Sequence, residues 1–493
     1  VLPTALLLFL ALPAALGAEA PAPFPLHVDG SGRYLVDAAG RPFRIHGDAA
    51  WDLAVQLTPT EVARYLDRRK AQGFNTVLVL FVERKRWVSS SRAPATAEGL
   101  VPFARPGDFS SPDDRYFERI AWVISEAGRR GMLVLATPLY LGFVGREEGW
   151  WDALNAPQNG REVVRAFGRY LARGDGGRFR GLKDATNIVW VQGGDFFPPA
   201  GSEGAARARA LLEGLREGGA RQLQTGHWSE EHVSTDQPDF APVMDLQAVY
   251  TYGDRHDGNV VPVLRRGYSF DPGRPPHAIP AFLIETQYES SGWLPASGLR
   301  RSLKLASRAL ASAVGKTPPI VTRPEEVRRL MYTAQLSTTG GVVFGNEQLW
   351  VFDRDWAENL DTTGARDMGH LRALLGGVRW WELVPSGLGT FAGAPPIAGA
   401  ADPARGGDIA AAGAPDRGLL LAYVPARGTG PRTLLVRSAT LPGRPRARWF
   451  DPTRGTWRPA EAAPGAGDTR SFATPGPNGD GDGDWVLVVD QPG

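Results

Sequence analysis

Residues Thr58–Val82 read TPTEVARYLDRRKAQGFNTVLVLFV, and the division of this stretch decides the fold. Thr58 is a cap residue and Pro59 suits the first position of a helix, where its missing N–H costs nothing. The helix that follows places Val62, Tyr65, Leu66 and Arg69 on one face and runs out at Gln72-Gly73. Asn75–Val82 is then a nearly continuous apolar run, the pattern of a parallel strand buried on both faces. Helix followed by doubly buried strand is one beat of a parallel α/β fold.

The beat repeats on both sides. Upstream, Phe43–Trp51 is strand-like, and FPLHVDGSGRYLVDAAGRPFRI (residues 24–45) carries hairpin punctuation at Asp29–Gly32 and Ala39-Gly40. Downstream, predicted helices at Tyr116–Arg130, Arg161–Ala172, Ala205–Glu217 and Pro324–Ser337 alternate with predicted strands. Those strands are Met132–Leu141, Asn187–Gln192, Arg221–Thr225, Asp245–Tyr252, Ala281–Thr286 and Gly341–Gly345. Eight such beats predict a (β/α)8 TIM barrel rather than a doubly wound sheet. Gly, Pro and Ala dominate Gly389–Pro415. Short alternating segments then follow at Gly418–Val424, Arg432–Val436, Ala447–Phe450 and Trp485–Val489, as in an antiparallel β-sandwich. The expected division is a leader at 1–18, a barrel with its N-terminal hairpin at 19–388, and a sandwich at 389–493.

Composition removes several alternatives. The 493 residues carry 55 Lys+Arg against 53 Asp+Glu, a net charge of +2 with the basic residues scattered, so no nucleic-acid partner is expected. Cysteine is absent, which excludes thiolate nucleophiles and Cys-ligated metals. The apolar run Ala5–Leu16 is too short to span a membrane, and Gly17 and Ala18 are small enough for signal cleavage, although no Lys or Arg precedes the run. A secreted protein without a membrane span is the expectation, acting as a monomer.

Barrel chemistry sits at the C-terminal ends of the strands. Those ends carry Asp48 and Trp51, then Gln192 and Asp195, then His227 and Trp228, then Tyr252, then Glu285 with Tyr288 and Glu289, then Asn346 and Trp350. Asp195 and Glu285 each follow a hydrophobic strand, on strands four and seven, and two carboxylates flanking one bond are what glycoside hydrolysis needs. Each alone could merely cap a helix or turn. Asp48 could bind a sugar hydroxyl or pin the Gly47 turn. The remaining polar and aromatic residues named are candidates for substrate binding.

Competing chemistries find less support. No H-x-H or H-E-x-x-H pattern marks a metal site, no G-x-S-x-G elbow marks a serine hydrolase, and no Gly-rich loop marks a nucleotide. No metal or other cofactor is therefore expected. The run Asp480-Gly481-Asp482-Gly483-Asp484 lacks the position-six glycine and distal Glu of an EF-hand and reads as a solvated turn.

Taken together, RYLVDAAGRPFRIHGDAAWDL, RRKAQGFNTV, VQGGD, IETQYES and FGNEQLW resemble the apiosidase-like glycoside hydrolases of bacteria. RARWFDPTRGTW and DWVLVV resemble the domain labelled collagen-binding that follows them. The resemblance spans nearly all the chain after the leader. It implies a retaining glycosidase acting on plant cell-wall (pectic) polysaccharide, with Asp195 as acid/base and Glu285 as nucleophile. The alternatives are a non-catalytic carbohydrate- or matrix-binding protein on the same scaffold, or a glycosidase for another sugar. Two features depart from the family pattern. Ala49 stands where the first motif usually has Thr, and the stretch between Glu289 and Arg323 is longer than the family needs.

Overall fold

The computed structural model describes residues 24–84, 92–143, 149–252, 260–268, 279–291, 322–386, 396–398, 409–426, 430–441, 443 and 445–491. The expected leader and most of the long stretch after Glu289 lie outside these residues, as does the expected domain boundary at 388/389.

Eight parallel strands form the barrel: β1 Ile45–Ala49, β2 Thr76–Leu80, β3 Leu133–Thr137, β4 Ile188–Gly193, β5 Gln224–His227, β6 Gln247–Tyr250, β7 Ala281–Glu285 and β8 Thr339–Phe344. Their ladder runs β5-β4-β3-β2-β1-β8-β7-β6. The helices between them are α1 Pro59–Ala71, α2 Asp114–Arg129, α3 Arg161–Arg173, α4 Glu203–Glu217, α5 Val261–Tyr268 and α6 Pro324–Thr338, with α7 Thr363–Gly376 after β8. Thr58 and Glu61 cap α1 reciprocally, as the sequence invites.

Side-chain alternation along the strands makes two apolar layers. Ile45, Leu78, Leu80, Leu133, Leu135, Val189, Val191, Phe282 and Val343 fill the barrel, and Leu26, Leu35 and Phe43 of the N-terminal hairpin segment belong to the same cluster. Val77, Val79, Val134, Trp190, Leu283 and Val342 point the other way, into the helices.

One beat differs from expectation. No α-helix joins β5 to β6 among the described residues. The chain forms a two-residue strand at His232–Val233, antiparallel to β6, followed by short 3-10 turns. The seam between β5 and β6 is stitched instead of laddered. The Ser234 hydroxyl accepts the N–H groups of Gly226 (3.1 Å) and Ala248 (2.8 Å) and donates to the Gly226 carbonyl (3.0 Å). One hydroxyl thus uses its donor and both lone pairs where strand-to-strand bonds would stand.

The C-terminal strands are β9 Ala410–Gly413, β10 Leu419–Val424, β11 Thr433–Arg437, β12 Arg446–Asp451, β13 Thr456–Pro459, β14 Thr469–Ala473 and β15 Trp485–Asp490. They form two antiparallel sheets, and Val384–Pro385 already pairs with β9. Trp449 lies in the sandwich core, whereas adjacent Phe450 belongs to the cluster shared with the barrel. Opposite faces of one strand therefore bury against different bodies. Helix α6 is caught between them and is buried from Met331 to Thr338 with no exposed face, with Tyr332 stacked on Tyr423 at 5.0 Å.

The acidic run before β15 is not the solvated turn its composition suggests. Asp484 is buried and grips Arg328 of α6 with both oxygens at 2.8 Å, while Asp482 (2.7 Å) and Asp367 of α7 (2.8 Å) complete the cluster. Arg328→Ala leaves buried carboxylates without their cation and is expected to lower stability by about 3–5 kcal/mol in denaturant titrations. A loss under about 1 kcal/mol would mean that solvent screens the cluster.

Among the described residues, no helix is long and apolar enough to cross a membrane.

Candidate active site

The backbone delivers the two candidate carboxylates to one place by local irregularities. β4 ends in Gly193 (φ +92°), Gly194 (φ +89°) and Asp195 (φ +52°), three consecutive left-handed residues. A Cβ on Gly193 would meet the His227 carbonyl at 2.5 Å, and one on Gly194 would meet the Tyr140 ring at 2.5 Å. Only glycine fits both steps, and Asp is among the few other residues that tolerate the third. β7 carries a bulge: Val249 pairs with Leu283, but Tyr250 pairs with Glu285. Strict alternation would send Glu285 toward the helices with Leu283; the extra residue turns it into the mouth.

The two acids meet around His227. Oxygens of Asp195 and Glu285 and a ring nitrogen of His227 all lie within 4.8 Å of one another. The backbone N–H of Asp195 donates to Nδ1 of His227 (3.1 Å). Nε2 of the same ring is 2.8 Å from Oε2 of Glu285, at an angle short of a hydrogen bond. Tyr252 donates to Oε1 of Glu285 (3.2 Å), and Tyr140 donates to Oδ2 of Asp195 (2.9 Å). Trp51 donates Nε1–H to the Tyr288 hydroxyl (2.8 Å). Tyr250 stacks on His227 at 4.6 Å.

Burial governs the protonation of this group. It raises Asp195 to about 7, helped by the negative charge of Glu285. It raises Glu285 to about 8 against the pull of the Tyr288 and Tyr252 hydroxyls. The pair titrates as a unit and keeps at least one proton at neutral pH. Burial also lowers His227 to about 4, so the ring is neutral, and holds Tyr140, Tyr250, Tyr252 and Tyr288 well above their ordinary values as permanent donors.

This electrostatic load affects stability. Above pH 4.5 the unfolded chain ionises both carboxyls freely, whereas the folded pair holds its last proton to about pH 8. Stability therefore falls as pH rises through that window. Glu285→Gln removes one member of the pair and is expected to be more stable than the parent, by on the order of 3 kcal/mol more at pH 8 than at pH 5. Thermal unfolding across pH tests this; a difference independent of pH would refute it.

Three such ligand atoms so close could also enclose a cation. The ring argues against it. A neutral histidine whose Nδ1 accepts an N–H carries its proton on Nε2, and that nitrogen then has no lone pair for a metal.

Several candidates from the sequence stand elsewhere. Asp48 points away from the mouth and is fully buried against Arg69 of α1 (2.6 Å) and the Tyr65 hydroxyl, which explains an arginine on the inner face of that helix. Glu289 accepts the Gly364 N–H at the start of α7 (2.8 Å) and the Asn346 side-chain amide (3.2 Å), so those two residues hold each other and the helix. Trp228 is buried behind the strands, with its N–H on the Ser234 carbonyl (2.8 Å). Gln192 donates to Gln224 (3.0 Å) on the face of β4 that also carries Trp190. Trp350 packs at the edge of the barrel cluster, partly exposed. Tyr140 and Tyr250 are the site residues that the sequence reading did not single out. Their position at or just after the C-terminal ends of β3 and β6 was the available signal.

Residues 29–382 match the family described as "Apiosidase-like, catalytic domain". The chain belongs to this apiosidase-like family. Residues 406–490 match the "Putative collagen-binding domain of a collagenase". Among solved structures, a protein titled "Glycoside hydrolase" aligns at TM-score 0.70 and 19% identity over 95% of this chain and 97% of its own. A glycoside hydrolase family 5 protein from Bacteroides vulgatus ATCC 8482 gives the same TM-score and identity over 95% and 94%. At that identity the likeness establishes the fold. A search of curated proteins by sequence found no match. The apiosidase-like chain is a glycoside hydrolase, and its substrate is a carbohydrate.

Proposed function

We propose that this protein is a secreted, anomerically retaining glycosidase that removes sugar from pectic polysaccharide of the plant cell wall. Asp195 serves as acid/base and Glu285 as nucleophile. The observation that carries this reading is the approach of the two carboxylates, whose oxygens come within 4.8 Å across one mouth. Retaining enzymes hold the pair about 5–5.5 Å apart, whereas inverting enzymes need about 6.5–9.5 Å to admit a water.

In the first step Asp195 protonates the leaving oxygen while Glu285 attacks the anomeric carbon. Asp195 then takes a proton from the water that releases the sugar. The proton retained by the pair at neutral pH supplies the first step, and the surrounding phenols stabilise whichever carboxylate is charged. Trp51, Tyr252, Tyr288 and Trp350 offer the aromatic and hydroxyl surface for the sugar. The pectic substrate follows from the family alone.

The purified protein incubated with apiose-bearing pectin and followed by NMR tests both parts. The expected result is release of a monosaccharide whose first-formed anomer matches that of the substrate. First formation of the opposite anomer would rule out retention, and no release from any pectic fraction would rule out the substrate.

A further inference from the structure

We propose that His227 is a positioning residue that ties the acid/base to the nucleophile through its two ring nitrogens, in a single fixed tautomer. The proposal rests on the assignment of Asp195 and Glu285 made above and adds a role that the assignment does not require.

The left-handed turn that presents Asp195 docks on His227 twice. The Gly194 N–H donates to the His227 carbonyl (2.6 Å), and the next amide, that of Asp195, donates to Nδ1 (3.1 Å). A left-handed aspartate is a strained conformation that persists only where its surroundings hold it. Here two successive amides are held by one residue. The opposite ring nitrogen meets Glu285 at 2.8 Å. The ring plane is set by Tyr250, stacked at 4.6 Å and 17°, and by Trp51 at 5.3 Å.

The side chain of His227 has no exposed surface, so it is not placed to contact a sugar. A histidine serving only the core could satisfy its nitrogens with any neighbours. This one meets the backbone of one acid and the carboxyl of the other. Since Nδ1 must accept, the proton belongs on Nε2, the nitrogen that stands 2.8 Å from Glu285. A doubly protonated ring would oppose the Asp195 N–H with a second donor, so the arrangement admits only the neutral form.

Two substitutions separate the halves. In His227→Asn the side-chain oxygen reaches the place of Nδ1 and can still accept the Asp195 N–H, but nothing reaches Glu285. In His227→Gln the terminal amide reaches the place of Nε2 and can face Glu285, but the Nδ1 acceptor is lost. His227→Gln is expected to lose on the order of 10²-fold in kcat/KM with poor leaving groups and little in kcat/KM with activated aryl glycosides, because the acid is displaced. His227→Asn should lose a similar factor for every leaving group, because the nucleophile is displaced. KM should not rise in either.

Nitrogen-15 NMR of the histidines in the parent protein is the second measurement and needs no variant to fold. His227 should show a protonated Nε2 and a bare Nδ1 from pH 5 to 8. A protonated Nδ1, identical losses in both variants on all leaving groups, or an effect confined to KM would each overturn the proposal. Full activity in Asp195→Ala and Glu285→Ala would instead sink the carboxylate assignment and the His227 role with it; the wrong tautomer sinks the His227 role alone.

Discussion

Glu285→Ala is expected to lower kcat by on the order of 10⁴- to 10⁶-fold, the scale seen when a covalent nucleophile is removed. The substitution also empties a space that three groups face: the hydroxyls of Tyr252 and Tyr288, and Nε2 of His227. A small anion fits such a ring of donors. Added azide should therefore restore part of the activity by attacking from the side that Glu285 occupied, and the product should be a glycosyl azide of inverted configuration. Chiral analysis of that product checks the assignment independently of rate. A variant retaining more than about a tenth of parental kcat would place the nucleophile elsewhere.

Asp195→Ala should separate substrates by leaving group. Where the departing oxygen needs a proton, general-acid catalysis supplies about 10²- to 10⁴-fold, and that factor should be lost. Aryl glycosides with acidic phenols leave unaided and should form the glycosyl-enzyme nearly as fast as before. Azide would then attack that intermediate from the Asp195 side, giving net retention, the opposite of the Glu285 variant. In the parent, activity should decline as the pair gives up its last proton, above about pH 8. That basic limb should vanish in Asp195→Ala with an activated substrate. Equal losses on good and poor leaving groups would count against Asp195 as the acid.

Much of this site follows from strand-end position, and the instructive departures share a cause. Asp48 and Glu285 both stand at the C-terminal ends of barrel strands, yet one serves the helix layer and the other the mouth. Asp48 obeys the alternation of β1 and finds Arg69, 21 residues away. Glu285 escapes the alternation of β7 through a bulge, and a bulge is set by the pairing of two strands rather than by either one's residues. Glu289 and Asn346 look like site residues because they follow strands seven and eight. Their partners are each other and an amide of α7, which only the closed barrel brings into reach.

The strand-helix rhythm, the barrel, the appended sandwich and the capping of α1 are legible in the sequence alone. These depend on side-chain period and on residue types adjacent in the chain, and local chemistry suffices to read them. The sequence also brought Asp195 and Glu285 forward as a pair. What each buried polar group faces is set by the closed fold. His227 bridges two acids from other strands, Ser234 closes the seam, and Asp484 finds Arg328 156 residues away. A buried charge or hydroxyl is held by whatever partner the completed fold supplies, because leaving it unpaired costs more than almost any local preference can offset.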